Sequence, residues 1–327
     1  MNGRLEHELK INKNVKNLLS EMPQCVTEFY MSIQAVRSPN TCLNYVRKLK
    51  HFLNYVDVEN VNEIDADDIE KYLEHIKYVD DGKGEIRKSS AAYTKLVCST
   101  LNRFFTFLYR RGEIDRNPME YVNRPLRKDS VKRIFLSMED LNNILSSVKN
   151  EDIAKEWRIR DYTILYLFMV TGMRKTALSE INVEELNFET NELLVIDKRD
   201  KEQKYQLNPE SIQILKIWLN ERQNILDEMG IQEDALFISK YGKRMDPNTV
   251  YHTVVKYAQK GIGKHISPHK LRAAFASLYY QETKDIVATK NAVGHSDIQT
   301  TSIYTVKENN SRKEATEFMS KGLLEKM

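Results

Sequence analysis

Cysteine is scarce. Cys25, Cys42 and Cys98 are the only three in 327 residues, and they form no CxxC pattern and no paired framework. That excludes a disulfide scaffold and fits a reducing, cytoplasmic setting. Long apolar runs are also missing: none approaches the roughly 18 residues of a membrane span. The opening residues, Met1 to Glu8, hold no apolar segment of a secretory signal. No cluster of Asp, Glu or His has metal-ligand spacing, and no Walker or Rossmann glycine pattern occurs, so no metal or cofactor is expected. Internal repeats and low-complexity segments are absent. An excess of one charge is nearly absent too: 50 Lys and Arg face 47 Asp and Glu, a net charge of +3. The total therefore does not announce a nucleic-acid binder, and local distribution has to carry that argument.

What is present describes an ordinary soluble protein, 41% apolar and 30% charged, long enough for two domains with real cores. Residues 1–24 read as a polar lead-in compatible with a helix. From Val26 to Val56 apolar residues recur at helical spacing (Phe29, Ile33, Leu43, Val46, Leu49, Phe52, Leu53), and Ser38-Pro39-Asn40 predicts a break between two helices. Asp65 opens another helix with carboxylates in its first turn, where the helix dipole favours them. Asp80–Gly84 reads as a loop. Ser89 and Ser90 cap a long helix through Leu101, Phe104, Phe105 and Leu108, which Gly112 stops.

Two windows of this region contain no acid. Phe29 to Val56 carries Arg37, Arg47, Lys48 and Lys50; Ile86 to Gly112 carries Arg87, Lys88, Lys95, Arg103, Arg110 and Arg111. One basic helix is often only a solvated face. Two in one small domain point to a surface that meets a polyanion, double-stranded DNA above all. The aromatics between the charges, Tyr45, Phe52, Phe104 and Phe105, read as core. Arg124 to Arg133 is a basic stretch with one acid, Asp129, and reads as an interdomain linker.

In the second half, Ser137 and Asp140 bracket a helix start as a capping box. Arg160 to Val170 is too apolar for a surface helix and predicts a buried central one, ended by Thr171-Gly172 with Arg174 just beyond. Leu193–Ile196 and Lys204–Leu207 predict a hairpin with a polar tip at Asp197–Glu202. Helices follow at Ser211–Met229, at Asn248–Gln259 behind Asp246-Pro247, and at Lys284–Val293. Gly261-Ile-Gly263 reads as the lead into the helix between the last two. Ser296 and Gln299 have capping-box spacing, which places Tyr304 about two turns into a further helix. Residues 312–327 form an amphipathic tail with Ala315, Phe318, Met319, Leu323 and Leu324 on one side.

The densest chemistry lies in Ser267-Pro-His-Lys-Leu-Arg272. Ser267 reads as an N-cap and Pro268 as the first helical residue, so His269 and Arg272 fall on one face of the first turns. Such a helix start suits a phosphate. Tyr304, nine residues after His295, is the candidate oxygen nucleophile, picked by its place after Gly294-His295.

These pieces resemble the catalytic domain of the tyrosine recombinases, the phage-integrase family. The matching stretches are Thr171-Gly-Met-Arg174, Lys198 in Val-Ile-Asp-Lys-Arg-Asp-Lys, His269-x-x-Arg272, Gly294-His295 and Ile303-Tyr304-Thr305. Each alone is weak; together and in this order they are specific. The resemblance covers residues 134–310 well and implies a mainly α fold: a helical, SAM-like core-binding domain at 25–125, a linker at 126–133, and an α-rich catalytic domain at 134–327 with a small antiparallel sheet, the DNA breaking-rejoining fold. It implies a homo-tetramer on two DNA sites, with the tail 312–327 packed on a neighbouring subunit, and no membrane.

The chemistry fits the residues. The transition state of phosphodiester cleavage gathers charge on its non-bridging oxygens, and paired guanidinium N–H groups of Arg174 and Arg272 suit them. Tyr304 is the expected nucleophile, with His269 accepting its proton and His295 orienting the phosphate. Lys198 is the general acid implied by the resemblance, with Lys201 the other lysine of that tip. A covalent phosphotyrosine keeps the bond energy, so a 5′-hydroxyl from another strand can reverse the step. Two positions depart from the family: Ala177, usually acidic, and Ala273, often His. The expectation is site-specific integration or excision of a mobile element. Xer-like dimer resolution, type IB topoisomerase-like relaxation and a catalytically decayed DNA-binding protein are the alternatives.

Overall fold

The computed structural model describes residues 3–58, 60–80, 86–123, 135–197 and 201–294. The basic stretch from 124 and the tail 312–327 lie outside them. The chain divides into two compact units, Met1–Lys132 and Arg133–Met327.

The first unit is a helical bundle. Helix α1 (Gly3–Leu19) is followed by α2 (Gln24–Gln34), α3 (Pro39–Val56) and α4 (Ala66–His75), a short hairpin of β1 (Tyr78–Asp80) and β2 (Ile86–Lys88), and α5 (Ala91–Arg110). Residues 3–19 are more than a lead-in: Ile11 and Val15 are buried with Leu43 and Val46 of α3. Among the described residues of α1 these two are the buried ones, too few to register as a stripe in a segment rich in Lys, Asn and Glu. Asp65 and Asp68 cap α4 reciprocally. The aromatics expected in the core are there. Phe29 meets Phe104 edge-on at 5.5 Å, and Phe52 meets Tyr72 at 5.0 Å. The hairpin, in the register Tyr78↔Lys88, flanks the stretch read as a loop.

The second unit opens with α6 (Met138–Lys149), whose Ser137–Asp140 capping box forms as expected. Helix α7 (Lys155–Thr171) buries Thr163, Ile164, Leu165, Leu167 and Phe168, and it is the central helix the apolar run predicted. Its one buried acid, Asp161, accepts from Tyr257 at 2.9 Å and from Arg160 Nε at 2.9 Å. Gly172, at φ +59°, ends the helix in the left-handed conformation that glycine tolerates best. Then come α8 (Lys175–Glu180), β3 (Leu186–Asn187), β4 (Glu192–Asp197), β5 (Lys201–Gln206), α9 (Pro209–Met229), α10 (Pro247–Ile262), α11 (Pro268–Thr283) and α12 (Ile286–Val293).

The sheet is antiparallel in the order β3-β4-β5. Pairing runs from Glu192↔Gln206 to Asp197↔Lys201, so the paired strands are longer than their apolar residues indicated. Polar residues close a ladder as well as apolar ones, because the backbone makes the bonds. Trp218 of α9 is fully buried, and its indole N–H donates to Leu236 O at 2.9 Å. Gly261 lies inside α10 rather than in a lead to α11. A Cβ there would meet Asn143 O of α6 at 2.7 Å, so this glycine permits a close helix approach. No described helix is long and apolar enough to cross a membrane.

Candidate active site

Arg272 is the anchor of the site. It sits one turn into α11, is only 2% exposed, and is held through both terminal nitrogens. Nη1 donates to Gly172 O at 2.7 Å, and Nη2 donates to Val293 O. One guanidinium thus joins the turn after α7 to the end of α12. Planar, with donors in a fixed fork, it is aimed by the fold rather than by a ligand. Pro268 opens α11 as expected, but the Ser267 hydroxyl makes no capping bond; an extended backbone and the proline's fixed φ start the helix instead.

Arg174 follows that same turn. It is the half-buried N-cap residue of α8, in extended conformation at φ −81° and ψ 150°. Met173, between it and Gly172, is 1% exposed, which roots the turn in the core. Ala177, where relatives usually carry an acid, is buried among apolar residues of that core and has no carboxylate to offer Arg174. Ala273 is half-buried beside Arg272.

His269 lies in the first turn of α11, with its side chain exposed on one side. Burial against the protein on the other side, then the charges of Arg272 and Arg174, holds its pKa below the ordinary histidine value. The ring is therefore biased toward the neutral form near pH 7. Two arginines and one histidine from two separate stretches of chain meet in one electrostatic environment.

The same field reaches a residue that the motifs did not single out. Tyr205 of β5 is half-buried. Burial raises its pKa, and Arg272 and Arg174 oppose that rise. Its hydroxyl donates to Gln203 Oε1 at 2.9 Å. The available signal was period-two alternation: 203 and 205 share one face of the strand. Gln203 in turn abuts Gly294, at φ +64°, where a Cβ would overlap the Gln203 amide. Lys198, His295 and Tyr304 lie outside the described residues, as does the side chain of Lys201.

In the first unit the basic residues vary in what they already touch. Arg47, Lys88, Lys95, Arg103 and Arg110 are exposed. Lys50 pairs with Glu21, and Arg111 bridges Glu28 at 3.0 Å and Glu113 at 2.7 Å. Those acids come from outside the two acid-free windows, which is why the windows could not reveal them. Lys48 is half-buried, 5.9 Å from the centre of the Tyr93 ring, and burial with the Arg47 charge lowers its pKa. Arg103, Arg110 and Arg111 line a groove of about 410 Å³ floored by Phe29, Ile33 and Phe107. The Arg87 side chain lies outside the described residues.

Comparison with known proteins agrees with this geometry. A family model described as "Phage integrase family" matches residues 134–311, and one described as "Phage integrase, N-terminal SAM-like domain" matches residues 26–112. The tyrosine recombinase XerC of Escherichia coli O157:H7 is 29% identical over 280 residues, which cover 84% of this chain and 88% of XerC. Among solved structures, the XerH site-specific recombinase bound to its difH substrate is 22% identical, with a TM-score of 0.61 over 85% of this chain and 78% of that one. A lambda integrase tetramer bound to a Holliday junction is 20% identical, with a TM-score of 0.62 over 86% and 76% of the two chains. These two show the shared fold. With a family model across more than half its length and its arginines and histidine gathered in one place, the chain belongs to the phage integrase family and is a tyrosine recombinase.

Proposed function

We propose that this protein cuts and rejoins duplex DNA at specific sites through a 3′-phosphotyrosine on Tyr304, to integrate or excise a mobile element. The observation that carries the reading is the convergence of Arg174, His269 and Arg272, with both guanidinium charges acting on the imidazole. In this mechanism the Tyr304 oxygen attacks phosphorus while neutral His269 accepts its proton. Arg174 and Arg272 stabilise the charge on the non-bridging oxygens, His295 orients the phosphate, and Lys198 donates a proton to the departing 5′-oxygen. Reversal by a 5′-hydroxyl of another strand completes the exchange. The test is a covalent protein–DNA adduct on nicked duplex substrates, formed by the wild type and lost in Tyr304→Phe. An adduct that survives in Tyr304→Phe would exclude this nucleophile.

Chromosome-dimer resolution is the second biological role, and the XerC relative supports it. Binding-site selection from genomic DNA distinguishes the two, by a single chromosomal site or by the ends of an element. Recombination between two sites on one plasmid, against relaxation alone, separates both from a topoisomerase.

The reading includes a homo-tetramer with the tail 312–327 docked on a neighbouring subunit. A groove of about 580 Å³ in the second unit supports it, lined by Leu141, Leu145, Met169, Val170, Phe275 and Leu278 among others. Its apolar walls match the apolar side of the tail, Phe318, Met319, Leu323 and Leu324. A charged residue at Phe318 would then weaken assembly on DNA while leaving binding to a single site intact.

A further inference from the structure

We propose that Gln203 and Tyr205 are a positioning pair that fixes the Val293–Gly294 turn against Arg272 and ties it to the β4–β5 hairpin. The proposal rests on the strand-transfer reading above and concerns how that site is held together.

The turn is bonded on one side and abutted on the other. Arg272 Nη2 donates to Val293 O on one side. On the other, the Gln203 amide lies so close to Gly294 that a Cβ at that position would overlap it, with Gln203 Cδ at 2.6 Å and Oε1 at 2.9 Å. Gly294 also holds φ +64°, and its N–H bonds Asn291 O at 3.0 Å. The backbone conformation favours glycine there, and the Gln203 amide fills the space a side chain would take.

Tyr205 tethers that amide. A glutamine side chain can turn end for end, exchanging its oxygen and its NH2 group. The Tyr205 hydroxyl donates to Oε1 at 2.9 Å, and the NH2 group lies toward Gly294. Both residues are half-buried on one face of β5, the strand that runs directly from the hairpin tip. The strand that leads from Lys198 therefore also braces the turn that leads into His295. A paired strand is stiff, so hairpin and turn keep their spacing while the phosphate is held.

The experiment uses the full-length protein and a nicked duplex carrying its site. It measures the single-turnover rate of adduct formation, the DNA dissociation constant and the melting temperature. Tyr205→Phe and Gln203→Ala are expected to slow adduct formation about tenfold or more, as small displacements in a site do, with affinity and melting temperature nearly unchanged. Gln203→Glu keeps the acceptor for Tyr205 but loses the NH2 group, and is expected to fall with Gln203→Ala. Gly294→Ala should lose activity, and adding Gln203→Ala should restore part of it by removing the overlap. Wild-type rates in both single variants would overturn the pair, as would losses that merely track weaker binding or melting. Absence of any Tyr304-dependent adduct in the wild type would sink the strand-transfer reading first, and this proposal with it.

Discussion

Arg272 and Gly172 stand 100 residues apart in the chain, yet the arginine Nη1 donates a 2.7 Å hydrogen bond to the glycine carbonyl. The turn so held is the one that presents Arg174. Each guanidinium of the candidate site is thereby placed with reference to the other.

Arg272→Lys tests this relationship. Lysine keeps the charge but has no planar fork, so it cannot serve Gly172 O and Val293 O together with a phosphate. Adduct formation should fall by about 100-fold or more, the size seen when a transition-state donor is lost. The melting temperature should fall too, because a buried carbonyl loses its donor. Near-normal turnover in Arg272→Lys would mean that charge alone suffices there.

Gly172→Ala is a test of stability. The position holds φ +59°, and a Cβ would lie 2.6 Å from Phe275 Cδ1. The strain should cost about 1–3 kcal/mol, or several degrees in the melting transition of the second unit. Thermal denaturation with unchanged melting would show that the turn accepts a side chain.

The pH dependence follows from His269. Its folded pKa lies below the ordinary value, chiefly through burial and then through Arg272 and Arg174. Between about pH 6.5 and that lowered value, the unfolded chain binds more protons than the folded one, so acidification through this window destabilises the protein. If His269 accepts the Tyr304 proton, the acid limb of the rate profile should have its midpoint below about 6.5. His269→Gln should slow the reaction and remove that limb. A midpoint well above 6.5 would assign the limb to another group.

DNA affinity should fall steeply with salt, because phosphate contacts release counterions. Replacing exposed Arg103 by Gln should lower the slope of log K against log salt by about 1. Arg111→Gln should act more on stability, since that residue already bridges Glu28 and Glu113. Equal slopes for wild type and Arg103→Gln would remove Arg103 from the interface.

Much of this architecture could be read before any coordinates. The unbroken apolar run of α7, the Ser137 and Asp65 caps and the helical periodicity of α3 and α5 are strong local signals, and the structure follows them. What stayed hidden depends on partners distant in sequence. Ile11 and Val15 matter only because Leu43 and Val46 face them. Gly261 looked like a loop glycine because nothing local reports the nearness of Asn143. At the site, Arg174, His269 and Arg272 stood out through their spacing. Tyr205 did not, since the field it sits in comes from two arginines that arrive from other elements.

The grip of Arg272 on Val293 has a temporal side. A nascent polypeptide that has not yet extended to α12 lacks the second carbonyl that orients this guanidinium. The cutting centre therefore matures only when nearly the whole second unit has emerged and folded, and truncated translation products should be able to touch DNA without breaking it.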